Sequence, residues 1–247
     1  MLEQGWKVNN MNFENRVVVI TGATGGLGKV VARKFSEQGA RLALISKNPE
    51  KLSDLAEELA LPEDRFLTYA SDLGQASTAQ NILAGILSKF GQVDVLIHLV
   101  GGWSGGKTVV EVDAEQVSNM LQQHLWTTFH VTQAFLPAML SRQWGRILVV
   151  SSPFASNPIA NLAPYAIGKA AQEALIQTIA QEVKGSGVTA NMLLVKTIDI
   201  QHERMHQPTP KNASWTTPEE ICSNLLHLSA EEGNRINGAR IPLYGNL

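Results

Sequence analysis

Three side chains in the second half of the chain have the types and spacing needed to move a proton to or from an oxygen atom. Tyr165 and Lys169 are four positions apart in Tyr165-Ala-Ile-Gly-Lys169, so a helix would place both on one face. A free phenol has a pKa of about 10, and a neighbouring ammonium lowers that pKa because it favours the phenolate. The same phenol can donate its proton to a carbonyl oxygen. Ser152 ends an apolar run thirteen residues earlier, and its hydroxyl can hydrogen-bond the same oxygen.

These side chains have two other interpretations, a chance surface pair and a hydrolase nucleophile. Y-x-x-x-K also arises by chance as a surface pair, so its position at the start of a helix after a strand is what favours chemistry. Ser152 as the nucleophile of a hydrolase is disfavoured, because no G-x-S-x-G turn surrounds it.

A glycine-rich segment near the start of the chain is typical of a phosphate-binding turn. Its sequence ITGATGGLG (residues 20–28) lies between the apolar run Val17–Ile20 and a helical pattern. A helix N-terminus offers free N–H groups and partial positive charge, and glycines let the backbone approach a diphosphate. A tight strand-to-helix turn without a ligand is the alternative, and the flanking strand and helix favour the dinucleotide.

The end of the second apolar run indicates which dinucleotide fits. NAD sites carry an acid there for the ribose 2′-hydroxyl, whereas NADP sites carry a small residue and a cation. Ser46 stands at that position and Lys47 follows it, so NADP(H) is favoured over NAD(H). The alternative for Lys47 is an ordinary solvated loop cation.

These residues require a sheet with flanking helices to bring them together. Apolar runs predict strands, and the segments between them show helical patterns. The predicted strands are Val17–Ile20, Arg41–Ser46, Arg65–Ala70, Val93–Val100, Arg146–Ser151, Val188–Val195 and Arg240–Tyr244. The predicted helices are Leu27–Gln38, Pro49–Leu59, Ala76–Phe90, Ala114–Leu140, Tyr165–Lys184 and Pro218–Ser229. This alternation predicts an α/β fold of the Rossmann type, a doubly wound parallel sheet of about seven strands with helices on both faces.

Composition narrows the class of protein. The 247 residues include 20 basic and 22 acidic side chains and 44% hydrophobic residues. This balance favours neither a nucleic-acid nor a membrane partner, and no apolar run approaches the roughly 20 residues of a membrane span. One cysteine, Cys222, excludes an internal disulfide and a multi-cysteine metal site, so no metal is expected. We expect a cytoplasmic protein with a flexible arm (residues 1–12) and a single domain (residues 13–247).

Together, the T-G-x-x-x-G-x-G loop (Thr21, Gly22, Gly26, Gly28), Ser152 and Tyr165-x-x-x-Lys169 resemble the short-chain dehydrogenase/reductase family in order and spacing. The resemblance extends from about Arg16 to Gly245. It implies hydride transfer between a nicotinamide cofactor and a small carbonyl or alcohol. It also implies that Ser152 polarises the substrate, that Tyr165 is the acid/base, and that Lys169 lowers the pKa of Tyr165 and holds the nicotinamide ribose. Homotetramers or homodimers, formed through the long fourth and fifth helices, are expected by the same resemblance.

The resemblance also implies further cofactor contacts. Asp72 and Leu73 match the Asp–Leu/Val pair whose acid accepts from the adenine amine, although Asp72 could instead cap the next helix. The full set implied for the cofactor is Gly22, Thr24, Gly25, Gly26, Leu27, Gly28, Ser46, Lys47, Asp72, Leu73, Val100, Gly101, Tyr165, Lys169, Thr197 and Ile198.

Four positions depart from the family pattern. His98-Leu99-Val100-Gly101 replaces Asn-Asn-Ala-Gly, and Val195-Lys196 replaces Pro-Gly. Ile200 stands where a threonine is usual. His124 stands where an asparagine assists a proton relay, so this histidine either titrates in the relay or packs as a helix residue.

Other segments resemble the dihydropteridine reductase branch, including Gly101–Gly106 and Ser214–Glu219. There Trp103 and Trp215 could flank a flat heterocycle or simply pack. A heterocycle reductase and an NADP-binding regulator without turnover are therefore the two alternatives to a carbonyl reductase. The polar segment Gln201–Ser214 is expected to be a lid over the substrate, as such long loops often are.

Overall fold

Seven parallel strands form one sheet in the computed structural model of the chain, which describes residues 12–245. The strands are β1 (Val17–Thr21), β2 (Arg41–Ser46), β3 (Phe66–Ala70), β4 (Val95–His98), β5 (Gly145–Ser151), β6 (Val188–Leu194) and β7 (Arg240–Pro242). The helices are α1 (Gly26–Glu37), α2 (Pro49–Leu59), α3 (Ala76–Phe90), α4 (Ala114–Leu121), α5 (Thr127–Ser141), α6 (Ala163–Glu182), α7 (Glu203–His206) and α8 (Pro218–Ser229). The predicted fold class is confirmed. The predicted arm lies outside the described residues, apart from Asn12.

The strand order is β3-β2-β1-β4-β5-β6-β7, so the chain builds outward from β1 in one direction and then from β4 in the other. β1 pairs with both β2 and β4, with Thr21 beside Ile45 on one side and His98 on the other. Ligands of such sheets bind at the carboxyl ends of the strands where the order reverses. That point lies at the ends of β1 and β4.

Each face of the sheet is covered by three long helices. Val17 and Val19 face one core cluster, to which α3, α5 and α6 contribute Ile86, Phe135 and Ile176. Val18 and Ile20 face the other cluster, with Phe35, Leu55 and Leu225 from α1, α2 and α8. Burial on both faces explains why the strand sequences are apolar at consecutive positions.

Side-chain caps set several helix starts, as the sequence predicts. The Asn48 side chain accepts from Lys51 N before α2. Capping boxes begin α4 at Asp113 and α8 at Thr217. These caps satisfy backbone donors that have no partner within the helix.

The single long helix predicted at Ala114–Leu140 is wrong in one respect. α4 and α5 are joined by a π-helical turn, Gln122–Trp126, instead of continuing as one α-helix. The hydroxyls of Thr127 and Thr128 donate to the carbonyl oxygens of Gln123 and His124, at 2.6 and 2.5 Å, and so satisfy acceptors in the wider turn.

The segment expected to be an irregular lid contains a short helix. α7 forms there because the buried Asp199 carboxylate accepts from Glu203 N and Arg204 N, at 2.8 and 2.9 Å. Asp199 is itself held by a hydrogen bond from its N–H to Thr216 O at 2.8 Å.

A polar cluster closes the amino end of the sheet, opposite the cleft. The buried Asp94 carboxylate accepts from Val17 N at 2.8 Å and from Arg16 Nη1 at 3.4 Å. The guanidinium groups of Arg16 and Arg146 lie 3.7 and 4.3 Å from the Trp144 ring centroid. These contacts tie β1, β4 and β5 together at an end that takes no part in the candidate site.

Candidate active site

Two adjoining cavities of about 360 and 450 Å³ form a cleft at the carboxyl ends of the strands. The smaller cavity is lined by Tyr165, Lys169 and His124, and the larger one by Ser46, Lys47 and Asp72. The residues that line both are Gly22, Gly25, Leu99, Val100 and Gly101. The cleft therefore runs from the predicted catalytic residues, past the glycine loop, to the end of β2.

The glycine loop leaves space that side chains would fill. Gly22 has φ +68°, and a Cβ there would lie 3.1 Å from the backbone of Leu99. A Cβ on Gly28 would overlap the carbonyl oxygen of Gly22, so the loop requires glycine here to pack against α1. Gly25 supplies no side-chain cap, and the first turn of α1 carries no acid. The first N–H groups of α1 are thus left to bind an anion.

Ile200 packs directly over the start of α1. A Cβ on Gly26 would come within 2.6 Å of Ile200 Cδ1, and both residues line the smaller cavity. An apolar side chain therefore lies against the first turn, where the resemblance implies a threonine. Sequence reasoning noted the substitution but missed the contact, because the contact depends on the return of the chain after β6.

Thr24, Ser46, Lys47 and Asp72 form the polar wall of the larger cavity. The hydroxyls of Thr24 and Ser46 are 2.6 Å apart and share a hydrogen bond. Lys47 Nζ lies 2.8 Å from Asp72 Oδ2, and both side chains are exposed. The hydrogen bond from Lys47 is the main cause that holds the pKa of Asp72 below its usual value. The sequence did not reveal this ion pair, which joins the ends of β2 and β3.

Asp72 does not cap α3, as one interpretation of the sequence had it. α3 begins at Ala76 after Gln75. Asp72 instead accepts a hydrogen bond from Gly74 N at 3.0 Å within the turn. Leu73 lines the same cavity beside it.

Tyr165 lies in the first turn of α6 and lines the smaller cavity. Burial raises the pKa of its phenol, and the nearby Ser152 hydroxyl opposes that shift. Ser152 follows the end of β5, is fully buried and lines neither cavity. The Ser152 hydroxyl therefore lies near Tyr165 but not at the surface of the cleft.

Lys169 is buried one turn further along α6, and its ammonium donates hydrogen bonds to a backbone carbonyl and to a side-chain amide. Its Nζ donates to Val150 O at 2.7 Å and to Gln172 Oε1 at 3.0 Å. Burial lowers the pKa of Lys169 to about 7, and the charge of Glu173 opposes that shift. Gln172 is a functional candidate that sequence reasoning missed, and its spacing of three from Lys169 on α6 was the available signal.

His98 forms a closed hydrogen-bond network beneath the cleft. Thr127 Oγ1 donates its hydrogen to Gln123 O, so it accepts from His98 Nε2 at 3.2 Å. Nδ1 of the neutral ring then accepts from the Thr21 hydroxyl at 2.8 Å, and Thr21 Oγ1 accepts from Leu99 N at 3.1 Å. Burial lowers the pKa of His98 to about 3, which keeps the ring neutral. A histidine here replaces the usual asparagine as a structural link.

His124 lies in the π-helical turn against Tyr165. The two ring centroids are 5.6 Å apart with an interplanar angle of 84°. His124 Nε2 donates to Gly102 O at 3.0 Å, while its buried Nδ1 has no partner among residues 12–245. Burial is the main cause that lowers the pKa of His124 to about 3. The ring is therefore neutral near pH 7, and packing against Tyr165 is favoured over a titrating relay.

Some predicted residues lie at the cleft and others do not. Lys196, Thr197 and Ile198 line the smaller cavity, as their position after β6 predicts. Trp103 is 67% exposed, and neither Trp103 nor Trp215 lines either cavity. The role of these two rings around a flat ligand stays a prediction.

Among residues 12–245, no helix is both long and apolar enough to cross a bilayer. Across the same residues, no group of three or more His, Cys, Asp or Glu side chains could hold a metal ion.

Comparison with known proteins gives the same family along most of the chain. Residues 16–210 match the family model for short chain dehydrogenases. A 2,3-dihydroxy-2,3-dihydro-p-cumate dehydrogenase of Pseudomonas putida is 30% identical, with 96% of each chain covered. An uncharacterized oxidoreductase of Staphylococcus epidermidis is 28% identical over 75% of this chain and 79% of its own length. A short chain dehydrogenase structure from Bacillus anthracis superposes with a TM-score of 0.84 at 25% identity, covering 94% of this chain and 96% of that one.

The family-model match spans β1 to β6, the glycine loop and the segment that carries Ser152, Tyr165 and Lys169. The chain therefore belongs to the short-chain dehydrogenase family of oxidoreductases.

Proposed function

We propose that this chain reduces a carbonyl group to an alcohol, or catalyses the reverse oxidation, with NADP(H) as the favoured cofactor and Tyr165 as the acid/base. One observation carries the proposal. Tyr165 lines the same cavity as the glycine loop at the start of α1. A substrate oxygen at Tyr165 would then lie in the same cavity as a dinucleotide held by the loop.

The residues of the cleft fit a dinucleotide. Gly22, Gly26 and Gly28 leave the loop without side chains, and the N–H groups at the start of α1 suit a diphosphate. The nicotinamide supplies or accepts a hydride when bound. In this assignment the loop contributes Gly22, Thr24, Gly25, Gly26, Leu27 and Gly28, and the nicotinamide end contributes Val100, Gly101, Lys169, Thr197 and Ile198.

The preference for NADP(H) rests on the end of β2. Ser46 provides a hydroxyl where a carboxylate would repel a 2′-phosphate, and Lys47 lies beside it in the cavity wall. The Lys47–Asp72 ion pair is exposed, and such pairs contribute only about 0–1 kcal/mol. A phosphate carrying roughly two negative charges can therefore compete for Lys47. Asp72 and Leu73 are assigned to the adenine.

The proton chemistry follows from the state of Tyr165. Because burial keeps the pKa of the phenol above its usual value, Tyr165 is protonated near pH 7 and can donate its proton to a carbonyl oxygen. Ser152 is fully buried and lines neither cavity, so in this proposal its hydroxyl acts on the Tyr165 phenol. Lys169, one turn further along α6, favours the phenolate that forms whenever its amine is protonated.

The test is oxidation of NADPH and NADH with ketones, quinones, quinonoid dihydropterin and acyl thioesters, together with NADP⁺ reduction with cyclic dihydrodiols of the kind for which the Pseudomonas putida relative is named. Tyr165→Phe should lose about 10²–10⁴-fold in kcat. Tyr69→Phe is the matched control, since Tyr69 lies on β3 outside both cavities. Retained turnover in Tyr165→Phe would refute the acid/base role. Binding of NADPH with no turnover of any compound would favour the regulator.

Self-association through α5 and α6 is part of the proposal. Trp126, beside α5, is 46% exposed, and Ile167 on α6 is 44% exposed, so both are available for an apolar contact between two copies of the chain. Light scattering should therefore give a dimer or tetramer, and Ile167→Glu should shift the mass towards the monomer. A monomeric wild type would exclude this arrangement.

A further inference from the structure

Lys169 is connected to the π-helical turn by an unbroken series of hydrogen bonds. Lys169 Nζ donates to Gln172 Oε1 at 3.0 Å, and Gln172 Nε2 donates to Thr128 Oγ1 at 2.9 Å. The Thr128 hydroxyl then donates to His124 O at 2.5 Å. Gln172 is 1% exposed and Thr128 is fully buried, so the series consists of protein groups shielded from solvent.

Chemistry sets the direction of each hydrogen bond. An ammonium group has only donors, so the oxygen of Gln172 must face Lys169 and its nitrogen must face Thr128. The backbone oxygen of His124 can only accept, so the Thr128 hydrogen points to it. A neutral amide has no mobile proton at neutral pH. The series can therefore hold the ammonium in place, but it cannot carry a proton to Lys169.

Lys169 has charged or titratable neighbours on α6, on β4, in the π-helical turn and after β6. On α6 itself they are Tyr165 and Glu173, and the Glu173 carboxylate is also paired with Arg240 of β7 at 2.8 Å. His98 and His124 are neutral, and Lys196 lines the same cavity without an acidic partner within 4 Å among the described residues. Burial disfavours the ammonium, and among residues 12–245 only Val150 O and Gln172 Oε1 accept hydrogen bonds from it.

We propose that Gln172, anchored by Thr128, is a positioning residue that holds the Lys169 ammonium charged and directed along the floor of the active-site cavity. The effect of Gln172 on the reaction rate rests on the proposed function, whereas its effect on the pKa of Lys169 does not. Hydrogen bonds to charged groups are about twice as strong as neutral ones, so loss of the Gln172 oxygen should make the ammonium easier to deprotonate.

The first experiment measures the titration of Lys169 by NMR of the whole protein with isotope-labelled lysine side chains, assigned by Lys169→Arg. In Gln172→Met, which keeps the volume but removes the acceptor, the pKa of Lys169 should fall by about one to two pH units. In Gln172→Glu the carboxylate should raise it above the wild-type value. Gln177→Met, an exposed change on the same helix, should leave it unchanged. Equal titration of Lys169 in all four proteins would overturn the inference.

The second experiment is the pH profile of kcat/KM with whichever substrate the panel identifies. In Gln172→Met the activity should fall about tenfold near pH 7, and its decline on the basic side should move to lower pH by the same one to two units. Gln172→Glu should recover activity and move the decline to higher pH. A structural role alone would lower activity equally at every pH in both variants, and that result would also overturn the inference. If the wild type turns over no compound of the panel, the proposed function is refuted, while the NMR result still decides the role of Gln172.

Discussion

Lys47 and Asp72, which follow β2 and β3, form an ion pair of 2.8 Å in the wall of the larger cavity. Lys47→Ala should therefore weaken NADPH binding about tenfold, with little change for NADH, because only NADPH offers a 2′-phosphate to the ammonium. Fluorescence titration of the two reduced cofactors measures both dissociation constants. Equal weakening of the two would remove the assignment of Lys47 to the phosphate.

Asp72→Asn tests the other member of the pair. The amide keeps the shape of the side chain but releases Lys47 from its counter-charge. We expect the ratio of NADPH to NADH affinity to rise about two- to fivefold, since an exposed ion pair is weak. A fall in that ratio in the same titration would mean that Asp72 supports the Lys47–phosphate contact instead of competing with it.

Ile200→Thr should strengthen cofactor binding. The Ile200 side chain lies against Gly26, at the first turn of α1, and offers no hydrogen bond there. A threonine is smaller and adds a donor near the proposed diphosphate, so we expect NADPH to bind about three- to tenfold more tightly. Ile200→Val is the matched control for size. If valine gives the full gain, the cause is steric and the added hydroxyl contributes nothing.

The stability of the protein should depend on pH through Lys169. Burial lowers the pKa of Lys169 to about 7, from an ordinary value of 10.5, so above pH 7 the unfolded chain binds the proton that the folded chain has released. The contribution of Lys169 to the free energy of unfolding therefore increases as pH rises above 7, by at most about 1.4 kcal/mol per pH unit.

Urea unfolding of the wild type and of Lys169→Met between pH 7 and 8.5 measures this contribution as a difference in slope. The window stops there because burial raises the pKa of Cys222 from 9.0 to about 12, which acts in the opposite direction at higher pH. Parallel slopes would show that Lys169 keeps its proton in the folded protein throughout this window.

Asp94 should contribute to stability and not to activity. Its buried carboxylate accepts from Val17 N and Arg16, at the amino end of the sheet. Asp94→Ala should cost about 3 kcal/mol because it leaves the buried Val17 N–H and the Gln92 amide without their acceptor, although Arg16 keeps its ion pair with Glu231. Asp94→Asn keeps an acceptor for Val17 N and should cost less. Urea midpoints give both values, and a large loss of kcat in the folded variants would contradict this separation of roles.

Several elements could be predicted from local sequence alone. Apolar residues at consecutive positions indicate strands buried on both faces, and the caps at Asn48, Asp113 and Thr217 depend on neighbours three residues away. The glycine loop and Tyr165-x-x-x-Lys169 are equally local, so their types and spacing predicted the fold class and the family.

Other features depend on which segments meet in space. The sequence predicts one long helix across the π-helical turn, because helical periodicity does not register a single wider turn stabilised by Thr127 and Thr128. The sequence suggests Trp103 and Trp215 as a pair around a flat ligand, but neither ring lines either of the two cavities of the cleft.

The sequence by itself determined the order of strands and helices, the phosphate-binding turn and the catalytic residue types, because each of these depends on short-range spacing. Only the tertiary structure decided that Lys47 pairs with Asp72, that Ile200 covers Gly26, and that Gln172 connects Lys169 to Thr128. Of these contacts, all but the bond between Lys169 and Gln172 join residues far apart in the chain, and that bond forms only when burial removes water as the competing partner. Burial also sets the protonation states of Tyr165, Lys169 and His124, which no residue type reveals.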